Sequence, residues 1–124
     1  MKRIVLEKMK TRIEFVEVIN LEFDMEDLEI TILIDGAKLD VRFDSPIGFR
    51  VLDEGDLLEF WPQCSSPNGW LYKIKDGGWL EQESKRNGFL SDELPNIGEY
   101  FIIGTNYCVG VISVEDPTIT ESIR

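Results

Sequence analysis

The stretch LEITILIDGAKLDVRF, residues 28 to 43, decides the fold of this chain. Its centre is Asp35-Gly36, a dipeptide that tolerates the positive φ angles of a two-residue type I′ turn. Apolar and polar side chains alternate along both arms, with Glu29 opposite Arg42 and Thr31 opposite Asp40 on the polar face. The pattern predicts an antiparallel hairpin whose apolar face carries Leu28, Ile30, Ile32 and Ile34 on the first arm and Ala37, Leu39, Val41 and Phe43 on the second.

A second hairpin is predicted towards the C-terminal end. Residues Tyr100 to Ile103 and Tyr107 to Val114 flank the turn-forming Gly104-Thr105-Asn106. Both arms are apolar on both faces, which is typical of central strands. Gly110 within the second arm indicates a bulge or a close backbone approach.

Other segments have patterns of their own. Trp70 to Lys75 alternates before Asp76-Gly77-Gly78 and predicts one arm of a third hairpin. The pattern of residues 80 to 94 leaves strand and helix open. Ile13 to Ile19 predicts a strand whose alternation slips at Val16, with a bulge or a helix as alternatives. Asp53 to Trp61 is the best candidate for a helix, although it is short.

Strands separated by turns about every ten residues are typical of an antiparallel sheet. We therefore expect a mainly β or α+β fold with six to eight strands, as a sandwich or an open barrel, and one or two short helices. A chain of 124 residues fits a single domain, residues 1 to 124, that buries about two-thirds of its unfolded surface.

The charge of the chain is strongly negative. Asp and Glu number 24 against 13 Lys and Arg, which gives a formal net charge of −11. Residues 1 to 12 carry a net charge of +4, so residues 13 to 124 carry −15. The basic end predicts an edge strand protected by its lysines. The acidic remainder repels nucleic acid and anionic lipid and attracts basic partners.

Several functional classes are disfavoured by what the sequence lacks. With no histidine, the chain has neither a Ser-His-Asp or Cys-His nucleophile system nor the usual ligand of catalytic zinc. There is no Gly-rich phosphate-binding motif. Cys64 and Cys108 are expected to be free and buried. No apolar run has the length of a signal peptide or a membrane span, so we expect a soluble cytoplasmic protein. We also expect neither a cofactor nor a bound metal.

The acidic residues fall into two concentrations that are candidate partner-binding sites. Residues 53 to 59 could form a row of carboxylates on a helix, which would suit Mg²⁺ or Ca²⁺, although no EF-hand register accompanies them. Residues 13 to 29 contain seven acids and no base. Trp70 follows a turn-rich segment and is the tryptophan expected to reach the surface as an apolar anchor. The candidate site residues are Asp53, Glu54, Asp56, Glu59, Glu22, Asp24, Glu26, Asp27 and Trp70.

A small, acidic, histidine-free soluble domain resembles the immunity proteins that bacteria make against their own polymorphic or contact-dependent toxins. The resemblance lies in the character of the whole chain rather than in a motif. It implies a non-enzymatic inhibitor that binds a basic toxin, most simply a nuclease, through an acidic surface. Three alternatives remain open: a structural or adaptor subunit, a carboxylate- or metal-dependent enzyme, and a small-molecule-binding barrel.

Overall fold

The computed structural model describes residues 1–8, 16–57, 60–64 and 68–122, which form nine strands and two short α-helices. The strands are β1 (Lys2–Glu7), β2 (Val16–Phe23), β3 (Asp27–Ile34), β4 (Ala37–Asp44), β5 (Gly48–Asp53), β6 (Leu71–Asp76), β7 (Gly98–Ile102), β8 (Tyr107–Ser113) and β9 (Thr118–Glu121). The helices are α1 (Trp61–Cys64) and α2 (Trp79–Ser84), with 3-10 turns at Glu54–Asp56 and Ser91–Glu93.

The strands form two antiparallel sheets. Sheet A has the order β1-β6-β7-β8-β5 and sheet B the order β2-β3-β4-β9. The mainly β prediction is therefore confirmed, as two separate sheets rather than a closed barrel. The two sheets share one hydrophobic core, in which Phe43 of β4 meets Tyr100 of β7 and Phe23 of β2 meets Phe49 of β5.

The hairpin predicted around Asp35-Gly36 is β3–β4. Asp35 and Gly36 have φ angles of 49° and 83°, as the turn requires. The predicted register holds, and Thr31 Oγ1 donates a hydrogen bond of 2.9 Å to Asp40 Oδ1. All apolar positions predicted on the first arm are buried, whereas Ala37, beside the turn, is exposed.

Strand β7 is the central strand of sheet A and is covered on both faces, which explains why its sequence is apolar on both faces. Tyr100 packs on sheet B through Phe43, while the neighbouring Phe101 stacks on Phe60, just before α1. The prediction that β7 and β8 are central strands is confirmed. Gly110 of β8 pairs in regular register with both neighbouring strands, so it marks no bulge. A Cβ there would lie 3.5 Å from the Trp79 ring.

The prediction of a third hairpin is wrong because the chain pairs over long distances. Strand β6 pairs with β1 and β7. Of the two alternatives left open for residues 80 to 94, the helix is the one observed, because α2 covers Trp79–Ser84 and a 3-10 turn follows at Ser91–Glu93. Strand β1 is the edge strand that the basic end predicted.

The helix predicted from Asp53 to Trp61 is also wrong. Asp53 stays in β5 because it pairs with Tyr107 of β8, and the residues directly after it form the short 3-10 turn Glu54–Asp56. Helix α1 begins at Trp61, where Pro62 is tolerated in the first turn. Of the strand predicted from Ile13 to Ile19, residues 13 to 15 lie outside the described residues. The slip predicted at Val16 is not there, because Val16 pairs in register with Ile34; the irregularity lies between Val18 and Asn20 of β2.

Cys64 and Cys108 are free and buried, as expected. Burial raises the pKa of Cys64 to about 12 and that of Cys108 to about 11. Within the described ranges, no helix has the length and apolar character needed to cross a membrane.

Candidate functional site

The first acidic concentration forms a tight turn at the end of β5, which we call the 53–56 turn (Asp53, Glu54, Gly55 and Asp56). Asp53 Oδ1 accepts a hydrogen bond of 2.8 Å from the backbone N–H of Gly55 and so caps the 3-10 turn. The backbone of Glu54 donates to the carbonyl of Asn106 at 3.0 Å and accepts from the indole N–H of Trp61 at 2.9 Å. Backbone contacts on both sides therefore fix the turn.

The 53–56 turn concentrates negative charge at the surface. Asp53, Glu54 and Asp56 are all exposed, and no basic residue lies within the turn. None of the ion pairs formed by the described residues involves these three carboxylates. Three charges on four residues are thus available to a partner. Glu59, the fourth acid predicted here, lies outside the described residues.

An exposed aromatic side chain lies directly across the sheet from the 53–56 turn. Tyr107 of β8 pairs with Asp53 and is 55% exposed, and Val51, two residues before Asp53, is 45% exposed. Tyrosine is enriched at the energetic centres of protein interfaces. Tyr107 was not singled out from the sequence, in which its one signal is its position immediately after the turn between β7 and β8.

The second acidic concentration forms the connection between β2 and β3, which we call the 24–27 turn (Asp24, Met25, Glu26 and Asp27). Asp24 Oδ1 accepts backbone hydrogen bonds from Asp27 at 2.7 Å and from Glu26 at 2.9 Å. These two bonds lower the pKa of the Asp24 carboxyl. Met25 sits at the tip with a φ of 76° and is 81% exposed.

The charge of the 24–27 turn is partly neutralised by a base on the neighbouring strand. Arg42 of β4 lies 2.6 Å from Asp27 Oδ2 and 3.1 Å from Asp44 Oδ1. Glu22 is exposed near the end of β2 and accepts a hydrogen bond of 3.3 Å from Asn20. Of the two predicted acidic patches, the 53–56 turn therefore presents the more concentrated charge.

The two turns lie towards opposite ends of β5. Phe23, the residue before Asp24, packs edge-on against Phe49 near the start of β5, with ring centroids 5.1 Å apart. Asp53 ends the same strand four residues later, a distance of roughly 13 Å along an extended chain. The acidic residues of the two turns therefore lie towards the two ends of β5.

The prediction that Trp70 reaches the surface is wrong, because Trp70 is only 3% exposed. Its backbone N–H donates to the carbonyl of Glu7 at 3.1 Å, and its carbonyl accepts from Ile103 at 3.1 Å. These bonds hold the backbone of Trp70 between Glu7, at the end of β1, and Ile103, which follows β7. Trp70 lines a groove of about 450 Å³ together with Ile34, Leu39, Ile119 and Lys8.

The carboxylate row that would have suited a metal does not form. Without the predicted helix, Asp53 and Asp56 are not stacked on one helical face. In the described part of the chain, no group of three or more His, Cys, Asp or Glu side chains is arranged to hold a metal ion.

A buried carboxylate outside these patches was not singled out from the sequence. Glu99 of β7 is only 2% exposed and accepts backbone hydrogen bonds from Trp79 at 3.0 Å and Leu80 at 2.8 Å, the first two residues of α2. Burial raises the pKa of Glu99, and these bonds offset part of the rise. Because both oxygens are occupied by the helix, we assign Glu99 a structural role.

Comparison of the chain with protein-family models, curated proteins and solved structures found no match.

Proposed function

We propose that this protein is a cytoplasmic immunity protein of bacterial origin, which binds and neutralises a basic nuclease toxin through the 53–56 turn. The observation that carries the proposal is the concentration of three exposed carboxylates on one rigid turn, next to the exposed Tyr107. This arrangement combines charge with an aromatic anchor.

The physical reasoning starts from the toxin. A nuclease presents basic side chains to the phosphates of its substrate, and carboxylates held in a fixed turn can take the place of those phosphates. Close charge pairs across a protein interface couple by about 1.5 to 7 kcal/mol. The strong negative field of the whole chain would also accelerate encounter with a basic surface. Neither effect requires catalysis.

The genomic neighbour gives the first test. We expect a large toxin gene directly upstream, and its product should be neutralised by this protein in a co-expression assay. Absence of such a gene, or full toxicity in the presence of the protein, would refute the proposal.

Charge substitution gives the second test. The variant Asp53→Asn/Glu54→Lys/Asp56→Lys keeps the Asp53 cap, because an asparagine oxygen also caps. With at least two charge pairs lost at about 1.5 kcal/mol each, toxin affinity should fall by about 100-fold or more. The matched control Glu81→Lys/Glu93→Gln/Glu121→Lys changes the net charge equally, at exposed acids on other elements. Equal losses in both variants would refute a role for the turn.

The salt dependence of binding distinguishes the proposal from an adaptor subunit. The association rate of the toxin complex should fall steeply between low and physiological salt. An adaptor that binds through apolar surface would keep its association rate. A salt-independent rate would therefore favour the adaptor.

A further inference from the structure

In the part of the chain that the structure describes, the two sheets have four edge strands, and three of them carry features that discourage pairing with another chain. Strand β2 has an irregular register between Val18 and Asn20, and β1 has register shifts near both ends together with Lys2 and Arg3. Strand β9 has only four residues. Bulges, lysines and short length are the usual ways in which natural proteins protect sheet edges.

The fourth edge, β5, has neither a register shift nor a short length, and its one basic residue, Arg50, lies over the ring of Trp79. All six of its residues pair with β8 without a register shift, and its sequence GFRVLD contains neither proline nor lysine. Val51, in its middle, is 45% exposed. A regular strand of this kind is a template for a further strand.

The phase of the hydrogen bonds shows which backbone groups of β5 are available. Glu54 N–H donates to the carbonyl of Asn106 at 3.0 Å, in the register that continues the β5–β8 pairing. Because backbone groups alternate in direction along a strand, the N–H and C=O groups of Phe49, Val51 and Asp53 point away from β8. Among the described residues, no backbone partner faces these groups, which form the outer edge of sheet A.

The charge around this edge defines the kind of chain that would pair with it. The 53–56 turn lies at one end of β5, and Phe23 leads into the 24–27 turn at the other. We propose that the β5 edge binds an extended basic segment of a protein partner as an added strand, with cationic side chains meeting the acids. Val51 supplies an apolar contact to the added strand. The proposal rests on the proposed function in taking this partner to be the toxin.

A synthetic ten-residue peptide of alternating lysine and valine is a direct probe. We expect it to slow hydrogen exchange of the amides of Phe49, Val51 and Asp53 by at least tenfold in NMR measurements on the full chain. A peptide of alternating glutamate and valine should give no protection. Lack of protection at these three amides with the lysine peptide would overturn the proposal.

Substitution at Val51 separates strand pairing from simple charge attraction. Val51→Pro removes an N–H that points to the free edge and keeps the bonds to β8, so the chain should fold, as a urea titration would verify. Val51→Thr is the matched control because it retains the N–H. We expect Val51→Pro to weaken binding of the lysine peptide by at least tenfold and Val51→Thr by less than threefold. Equal binding by the two variants would overturn the proposal.

Two outcomes distinguish this proposal from the proposed function. If the protein neutralises its toxin and Val51→Pro neutralises it equally well, the edge proposal fails and the immunity function stands. If the peptide adds to β5 but no toxin is neutralised, the edge binds basic segments and the immunity function fails.

Discussion

Substituting Gly78 by alanine should strongly destabilise the protein, because Gly78 is pressed against the buried carboxylate of Glu99. A Cβ at position 78 would lie 2.6 Å from Oε1 and 2.8 Å from Oε2 of Glu99, and 2.9 Å from a methyl carbon of Ile74. The φ of Gly78 is −108°, a value open to any residue, so the cost arises from contact and not from the backbone.

The size of the effect follows from how Glu99 is held. Overpacking a core costs about 1 to 3 kcal/mol. Glu99 can relieve the clash only by weakening its bonds to α2, and hydrogen bonds to charged groups contribute about 1.5 to 3 kcal/mol each. We therefore expect Gly78→Ala to lower the free energy of unfolding by about 3 kcal/mol. For a domain of this length, that corresponds to a fall in Tm of about 11 °C.

Urea unfolding followed by tryptophan fluorescence would measure this loss. Gly48→Ala is the control, because its Cβ would meet only the Trp79 ring at 3.9 Å, and its effect should stay within about 0.5 kcal/mol. A Glu99→Ala background removes the two closest contacts of a Cβ at position 78 and leaves the contact with Ile74. The cost of Gly78→Ala should then fall by about 2 kcal/mol. Equal costs for Gly78→Ala and Gly48→Ala, or no coupling with Glu99→Ala, would refute the reasoning.

Two further predictions concern ionisable groups. The hydroxyl of Tyr100 and the ammonium group of Lys73 lower the pKa of Asp116. The ionised Asp116 carboxylate therefore stabilises the fold at pH values above its unfolded pKa, and this stabilisation is lost as the pH falls through its folded pKa. Because Asp116 is mostly exposed, Asp116→Asn should cost less than about 1 kcal/mol at pH 7 and less than that at pH 3, as urea titrations at the two pH values would show. An equal cost at both pH values would contradict this. Burial and raised pKa values should keep Cys64 and Cys108 unreactive towards a thiol reagent at pH 8 until urea unfolds the chain, and rapid native labelling of either thiol would contradict the structure.

Local patterns in the sequence were sufficient for the parts of the fold that pair locally. The turn at Asp35-Gly36 and the alternation around it determine the register of β3 and β4. Pairing of β1 with β6 left no comparable signal, because strands far apart in sequence carry no shared turn.

The candidate site was predicted in part. Asp53, Glu54 and Asp56 lie together at the surface, at the end of β5 and on the 3-10 turn that follows it. Their spacing also fits a helix, and no pattern in the sequence indicated that β5 extends to Asp53. Trp70 was misplaced because the turn residues before it suggested exposure, whereas long-range backbone bonds bury it. Tyr107 became visible only once β5 and β8 were paired.

The distance in sequence between β1 and its partner has a consequence during synthesis. Lys2 pairs with Asp76, which lies 74 residues later, whereas β2, β3 and β4 pair in sequence order. At about 5 to 20 residues per second, β1 is made roughly 4 to 15 s before β6. During that time its Ile4, Val5 and Leu6 have no partner strand. The lysine and arginine beside them act as gatekeepers, which oppose aggregation of the newly made chain before sheet A exists.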